Sequence, residues 1–96
     1  MTKAEFIDTV YERANDEGAD ITKKDTNTLF DLIFETIAET VEEEERFLVP
    51  GFGTFELRHR KARKGRNPQT GEEIQIPASN TVGFRPSSNL KDQVNS

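Results

Sequence analysis

One apolar stripe constrains this chain more than any other feature, because the chain has little else with which to cover it. Leu29, Phe30, Ile33, Phe34, Ile37, Ala38 and Val41 recur at helical spacing, which predicts a long amphipathic helix with a broad packing face. Thr22-Lys23-Lys24-Asp25 supplies a start signal of the looser Thr-x-x-Asp kind; the full capping box, in which the Thr hydroxyl accepts from a first-turn N–H and the acid three residues on reaches back, is expected at Thr2 and Glu5. A shorter stripe precedes it, Phe6, Ile7, Val10, Tyr11 and Ala14, behind the capping sequence Thr2-Lys3-Ala4-Glu5 and ahead of a polar stop at Asn15-Asp16-Glu17-Gly18. With 96 residues, 32% of them hydrophobic, and no cysteine, neither a disulfide framework nor a thiolate metal site can reinforce a small core. The spacing therefore predicts that the long helix meets a second copy of the chain.

After Glu42-Glu43-Glu44-Glu45 the period changes from helical to alternating. Phe47 and Val49 alternate, Pro50-Gly51-Phe52-Gly53 reads as a tight turn, and Phe55 and Leu57 alternate again, which predicts a β-hairpin. Past Leu57 the apolar face gives way to cations, so the strand is expected to run on as an arm with no core of its own. A return strand, Glu72 to Pro77, carries Ile74 and Ile76 on one face. Asn80 to Phe84 leads back, with Phe84 as core anchor, and Pro86 to Lys91 reads as the start of a Ser-capped final helix with Leu90 and Val94 inward. No repeat, linker or low-complexity tract interrupts this pattern, which predicts a single domain over 1–96.

Charge is divided unevenly. Met1 to Pro50 carries 5 Lys+Arg against 14 Asp+Glu, and Gly51 to Ser96 carries 8 against 4, within a formal net charge of −5. Arg58 to Arg66, RHRKARKGR, holds six cations and no acid, an anion-binding element on an acidic body. An extended cationic strand gains affinity for duplex DNA by displacing condensed counterions without reading sequence. Beyond it lies Asn67-Pro68-Gln69-Thr70-Gly71, where Pro68 fits a turn for its fixed φ. At the tip of a cationic ribbon its apolar ring can also wedge into a base step. No run approaches the roughly 18 apolar residues of a membrane span, and the charged N-terminus does not read as a signal peptide. A cytoplasmic protein is expected. The lone histidine, His59, has no ligand set around it and reads as an arm residue beside phosphate. Nothing resembles a catalytic constellation, so no enzyme, cofactor or metal is expected. The acids Glu42 to Glu45 read as a solvated helix end that avoids DNA.

Gly51 to Ser79, GFGTFELRHRKARKGRNPQTGEEIQIPAS, closely resembles the arm region of the bacterial HU/IHF family of DNA-bending proteins. The similarity extends through FRPSSNLKDQV and back through both helices, so it covers nearly the whole chain. It implies an α+β fold in which two N-terminal helices form an intertwined dimer base. A three-stranded antiparallel sheet with a long β-ribbon arm and a short C-terminal helix complete it. In these terms residues 1–50 form the helical dimerisation part, 51–86 the sheet and arm, and 87–96 the last helix. The implied partner is double-stranded DNA in the nucleoid, held in the minor groove by a homodimer or a heterodimer with a paralogue. The expected DNA-binding residues are Arg58, Arg60, Lys61, Arg63, Lys64, Arg66, Asn67, Pro68, Gln69, Arg85 and Lys91, with Pro68 intercalating. Phe30, Phe34, Phe47, Phe52, Phe55 and Phe84 are expected in the dimer core. Three departures stand out: the long loop Asn15 to Asp20, the acids Glu42 to Glu45, and Asn80 and Ser88 at positions often occupied by Lys. These predict DNA contacts concentrated on the arm. The rival readings are an IHF-like subunit with site preference and an acidic interaction protein with weak DNA binding.

Overall fold

The computed structural model describes residues Met1–Ser96, arranged as α1 (Lys3–Asp16), α2 (Lys23–Glu44), β1 (Arg46–Val49), β2 (Gly53–Arg60), β3 (Arg63–Arg66), β4 (Glu73–Ile76), β5 (Ser79–Pro86) and α3 (Ser88–Val94). Two compact units divide the chain, Met1–Glu39 and Thr40–Ser96. No helix is long and apolar enough to cross a membrane.

In the first unit Thr2 caps α1, its Oγ1 accepting from Glu5 N at 3.2 Å. The cap of α2 is reciprocal: Thr22 Oγ1 accepts from Asp25 N at 3.0 Å and Asp25 Oδ2 accepts from Thr22 N at 3.2 Å. Between the helices, Gly18 takes φ +88 and closes α1, with Ala19 N donating to Ala14 O and Gly18 N to Asn15 O. That pairing satisfies the orphan carbonyls of the last turn, and only a residue without a Cβ adopts this φ at no steric cost. The loop that sequence reading finds unusually long is tied down from within, since Asn15 Nδ2 donates both to Tyr11 O at 2.8 Å and to Ile21 O at 3.1 Å. Lys3 to Asp31 (2.7 Å) and Lys23 to Asp8 (3.0 Å) link α1 to α2. Phe6 meets Phe30 edge-on with centroids 5.5 Å apart, and Phe30 meets Phe34 at 4.7 Å.

This packing leaves most of the apolar stripe uncovered. Across the whole chain only Ile7 and Val41 are buried large hydrophobic residues. Leu29, Leu32, Ile33 and Phe34 are each about half exposed, and an apolar groove of about 290 Å³ runs beside Phe6, Val10, Leu29 and Ile33.

In the second unit β1, β2 and β5 form an antiparallel sheet in the order β1-β2-β5. The sheet opens at Arg46, inside the stretch read from sequence as the helical part, because Glu45 turns the chain with φ +66 directly after α2. Leu57 N donates back to Glu45 O at 2.9 Å and fixes this reversal. Pro50 and Gly51 (φ +78) occupy the turn closed by Phe52 N to Val49 O, where the second central position favours Gly. Phe47, Phe55 and Phe84 stand opposite one another across the three strands, and Phe52 lies against Phe84 with centroids 5.3 Å apart. Gly53 sits where a Cβ would meet the Phe84 ring and the Arg85 carbonyl oxygen at 2.5 to 2.6 Å. Ser87 caps α3, its Oγ accepting from Leu90 N. Leu90 is half-buried, but Val94, expected inward, is 73% exposed, since α3 ends there and nothing in the single chain covers it.

Candidate nucleic-acid interface

Side chains alternate between the two faces of a strand, and register decides which neighbours they share. On β2, Phe55 and Leu57 point to the aromatic face, while Thr54, Glu56, Arg58 and Arg60 point to the other. Pairing sets Arg46 opposite Glu56 on β1 and Arg85 opposite Thr54 on β5. Arg46, Arg58, Arg60 and Arg85 therefore share one sheet face. Sequence reading included three of these and missed Arg46, which is far from the cationic run and reaches the face only through its pairing with Glu56.

Glu56 sits among these arginines. Its Oε1 accepts from Arg58 Nη2 at 3.0 Å and lies 3.4 Å from Arg85 Nη2. The hydrogen bond from Arg58 holds the Glu56 carboxyl below the usual carboxylate range against the opposing effect of desolvation, and the charges of Arg85, Arg58 and Arg46 add to the lowering. Beneath lies Gly83, buried, where an added Cβ would collide with the Arg58 guanidinium. Arg58 thus lies along the sheet in a slot that only glycine leaves open.

On the opposite face, next to Leu57, His59 is held on both sides. Its Nε2 is 2.9 Å from Glu45 Oε1 and its Nδ1 is 2.8 Å from Asn80 Oδ1. The bond to Glu45, followed by that to Asn80, pushes the imidazole above its ordinary value of 6.5. Sequence reading gives an arm histidine beside phosphate; in the fold the ring bonds to Glu45, directly after α2, and to Asn80 on β5. Glu45 and Asn80, two apparent departures in the sequence, are its partners.

The ribbon is built from two ladders with a break between them. β2 pairs with β5 as far as Arg60 opposite Ser79, and a separate two-stranded ladder then begins with Arg63 opposite Ile76. Lys61-Ala62 and Pro77-Ala78 lie between the ladders. Pro77 has no N–H to contribute to pairing, so the return strand ends at Ile76 rather than Pro77. The six expected cations fall into three settings: Arg58 and Arg60 on the sheet, Lys61 in the break, and Arg63, Lys64 and Arg66 on β3. Within β3, Arg63 and Gly65 share a face with Ile74 and Ile76, while Lys64 and Arg66 share the other with Gln75 and Glu73. Lys64 Nζ lies 3.9 Å from Glu73 Oε1.

Asn67 organises the tip. Its N donates to Glu72 O at 2.8 Å, its O accepts from Gly71 N at 2.7 Å, and its Oδ1 accepts from Gln69 N at 2.9 Å. Gly71 takes φ +75, and Arg66 Nη1 donates to its carbonyl at 3.3 Å. The outcome is a closed turn that leaves Pro68 and Gln69 exposed at the end of the ladder. Lys91 stands in the last turn of α3 and is exposed. Of the six phenylalanines expected in the dimer core, Phe30 and Phe34 belong to the first unit, and Phe47, Phe52, Phe55 and Phe84 to the second. Phe47, Phe55 and Phe84 face away from the arginines. No group of His, Cys, Asp and Glu side chains is placed to hold a metal ion.

Residues 1–95 match the family model described as "Bacterial DNA-binding protein". Integration host factor subunit alpha of an Anaeromyxobacter species is 45% identical over 99% of this chain and 91% of its own length. DNA-binding protein HU-1 of Halalkalibacterium halodurans is 46% identical over 99% of this chain and all of its own length. Among solved structures, an Anabaena HU–DNA cocrystal structure superposes with a TM-score of 0.82 at 39% identity, covering 98% of this chain and 97% of that one. An HU mutant from Thermotoga maritima gives 0.67 at 30% identity, covering 98% and 99%.

Proposed function

Because the chain belongs to the bacterial DNA-binding protein family of HU and integration host factor, we propose that it is a dimeric architectural protein that binds duplex DNA and bends it. The observation that carries this reading is the arrangement of Arg46, Arg58, Arg60 and Arg85 on one sheet face together with a cationic ladder that ends in exposed Pro68. Guanidinium groups on an extended surface displace counterions from phosphates, which yields affinity with little sequence preference. At the arm, Arg63, Lys64, Arg66 and Lys61 follow the minor groove, where narrow stretches concentrate negative potential. Asn67 and Gln69 meet base edges at the tip. The Pro68 ring enters a base step, where partial unstacking costs about a few kcal/mol and is offset by the larger surface that bent DNA contacts.

Dimerisation follows from the uncovered stripe on α2 and from the partly exposed Phe52 and Phe84, with Phe30, Phe34, Phe47 and Phe55 packed alongside, and residues 1–96 act as one domain. The nucleoid is the matching location, and the role is architectural, not catalytic. The four arginines that share the sheet face add a second cationic surface to the arm, on which the sequence concentrates the contacts. Lys91 and Arg85 extend the contact surface.

The test separates wedge from charge. Pro68→Ala retains every cation, so its affinity for a short duplex should stay within about twofold of wild type while energy transfer between dyes on the duplex ends falls towards that of free DNA. An unchanged bend with reduced affinity would remove Pro68 from the wedge role. A chain that shows no salt-dependent binding at all would overturn the functional reading.

A further inference from the structure

We propose that Glu56 is a positioning residue that sets how many phosphates the sheet face engages, by holding Arg58 and Arg85 on its own carboxylate. The inference rests on the DNA-binding reading above and goes beyond it, because it assigns a role to an acid inside a cationic surface.

Three observations support it. One carboxylate oxygen, Oε1, lies within 3.0 Å of Arg58 Nη2 and 3.4 Å of Arg85 Nη2, so two guanidinium groups converge on the same atom. The Glu56 side chain is only 20% exposed, whereas those of Arg58 and Arg85 are 52% and 66% exposed, so the acid lies under the arginines. And the Arg58 guanidinium occupies the slot above Gly83 that a Cβ would fill. A guanidinium that already has a carboxylate partner is less available to neutralise a phosphate, so it releases fewer of the counterions condensed on DNA and adds less to the salt dependence of binding. The arm cations have no such anion in common: Lys64 lies 3.9 Å from Glu73, and Arg66 reaches a backbone carbonyl. Sheet and arm therefore differ in how strongly each cation responds to a phosphate.

The test compares salt dependence of DNA affinity for the full chain and two variants. Glu56→Gln preserves shape and removes the charge, which releases both arginines. If each gains one phosphate contact, the slope of log affinity against log salt steepens by about 1.8. Between about 50 mM and about 200 mM salt this adds about a twelvefold loss of affinity beyond that of wild type. Adding Arg85→Gln to Glu56→Gln should remove about half of the increment. Gly83→Ala reaches the same point from another side: the new Cβ displaces the flexible end of Arg58 from its slot, and the slope should steepen by about 0.9. This variant leaves Glu56 in place and carries the test if Glu56→Gln folds poorly. Folded Glu56→Gln and Gly83→Ala proteins with wild-type or shallower slopes would overturn the role assigned to Glu56, and the DNA-binding reading would stand. A wild-type chain without salt-dependent binding would overturn the binding reading itself, and this inference with it.

Discussion

At the scale of single residues, the cationic run and its tip can be read along the chain, whereas their partners appear only through pairing. Arg58 to Arg66 and Pro68 are contiguous in sequence, so a linear reading finds them. Arg46 with Glu56, and Glu45 with His59 and Asn80, are joined by strand register and by one left-handed residue, which no local spacing announces. The His59 cluster leads to a pH prediction. Its folded value lies above the ordinary 6.5 because Glu45, then Asn80, favour the charged ring. The stabilisation is therefore fully present below about pH 6.5 and is lost as pH rises through the folded value. A nuclear magnetic resonance titration of the His59 ring should give a midpoint above 6.5. The difference in melting temperature between wild type and His59→Gln should be largest at the acid side of that midpoint and shrink above it. A difference that grows with pH would show that the ion pair is not what holds the ring.

At the scale of elements, both helices follow from their caps and periodicity. Thr2 and Thr22 stand at the predicted starts, and Gly18 closes α1. The arm is where alternation misleads. Ile74 and Ile76 keep the strand period, yet Pro77 ends the pairing, and the sequence signal for the break was that missing N–H rather than any loss of pattern. An isolated two-stranded ladder is marginal in water. In β3 and β4 only Gly65 and Ile76 are half-buried, so few contacts oppose local opening. Backbone amides of Lys64 to Arg66 should exchange with deuterium at least about tenfold faster than those of Phe55 to Leu57, a difference in opening free energy of about 1.4 kcal/mol. Saturating duplex should slow exchange in the arm more than in the central strand. Equal protection in the free protein would mean that the two ladders open together.

At the scale of the whole molecule, the scarcity of buried side chains decides the stability argument. Two buried large hydrophobic residues cannot hold a domain of this length, and Leu29, Leu32, Ile33 and Phe34 await a cover. The melting temperature should therefore rise with protein concentration, as it does when folding and association are linked. Phe34→Ala should lower stability at fixed concentration by about 3–5 kcal/mol if the assembled interface buries the ring, read by chemical denaturation. A folded monomer in sedimentation at micromolar concentration would contradict both. The division into two compact units also makes the chain spectroscopically convenient. It has one tyrosine, one histidine and no tryptophan, and these fall one to each unit: Tyr11 in Met1–Glu39, with Lys23 Nζ 5.6 Å from its ring centroid, and His59 in Thr40–Ser96. Tyrosine fluorescence and the imidazole resonance are thus built-in reporters of separate halves. Since α2 runs through the boundary between them, the two signals should change at the same denaturant concentration, the mark of one cooperative transition.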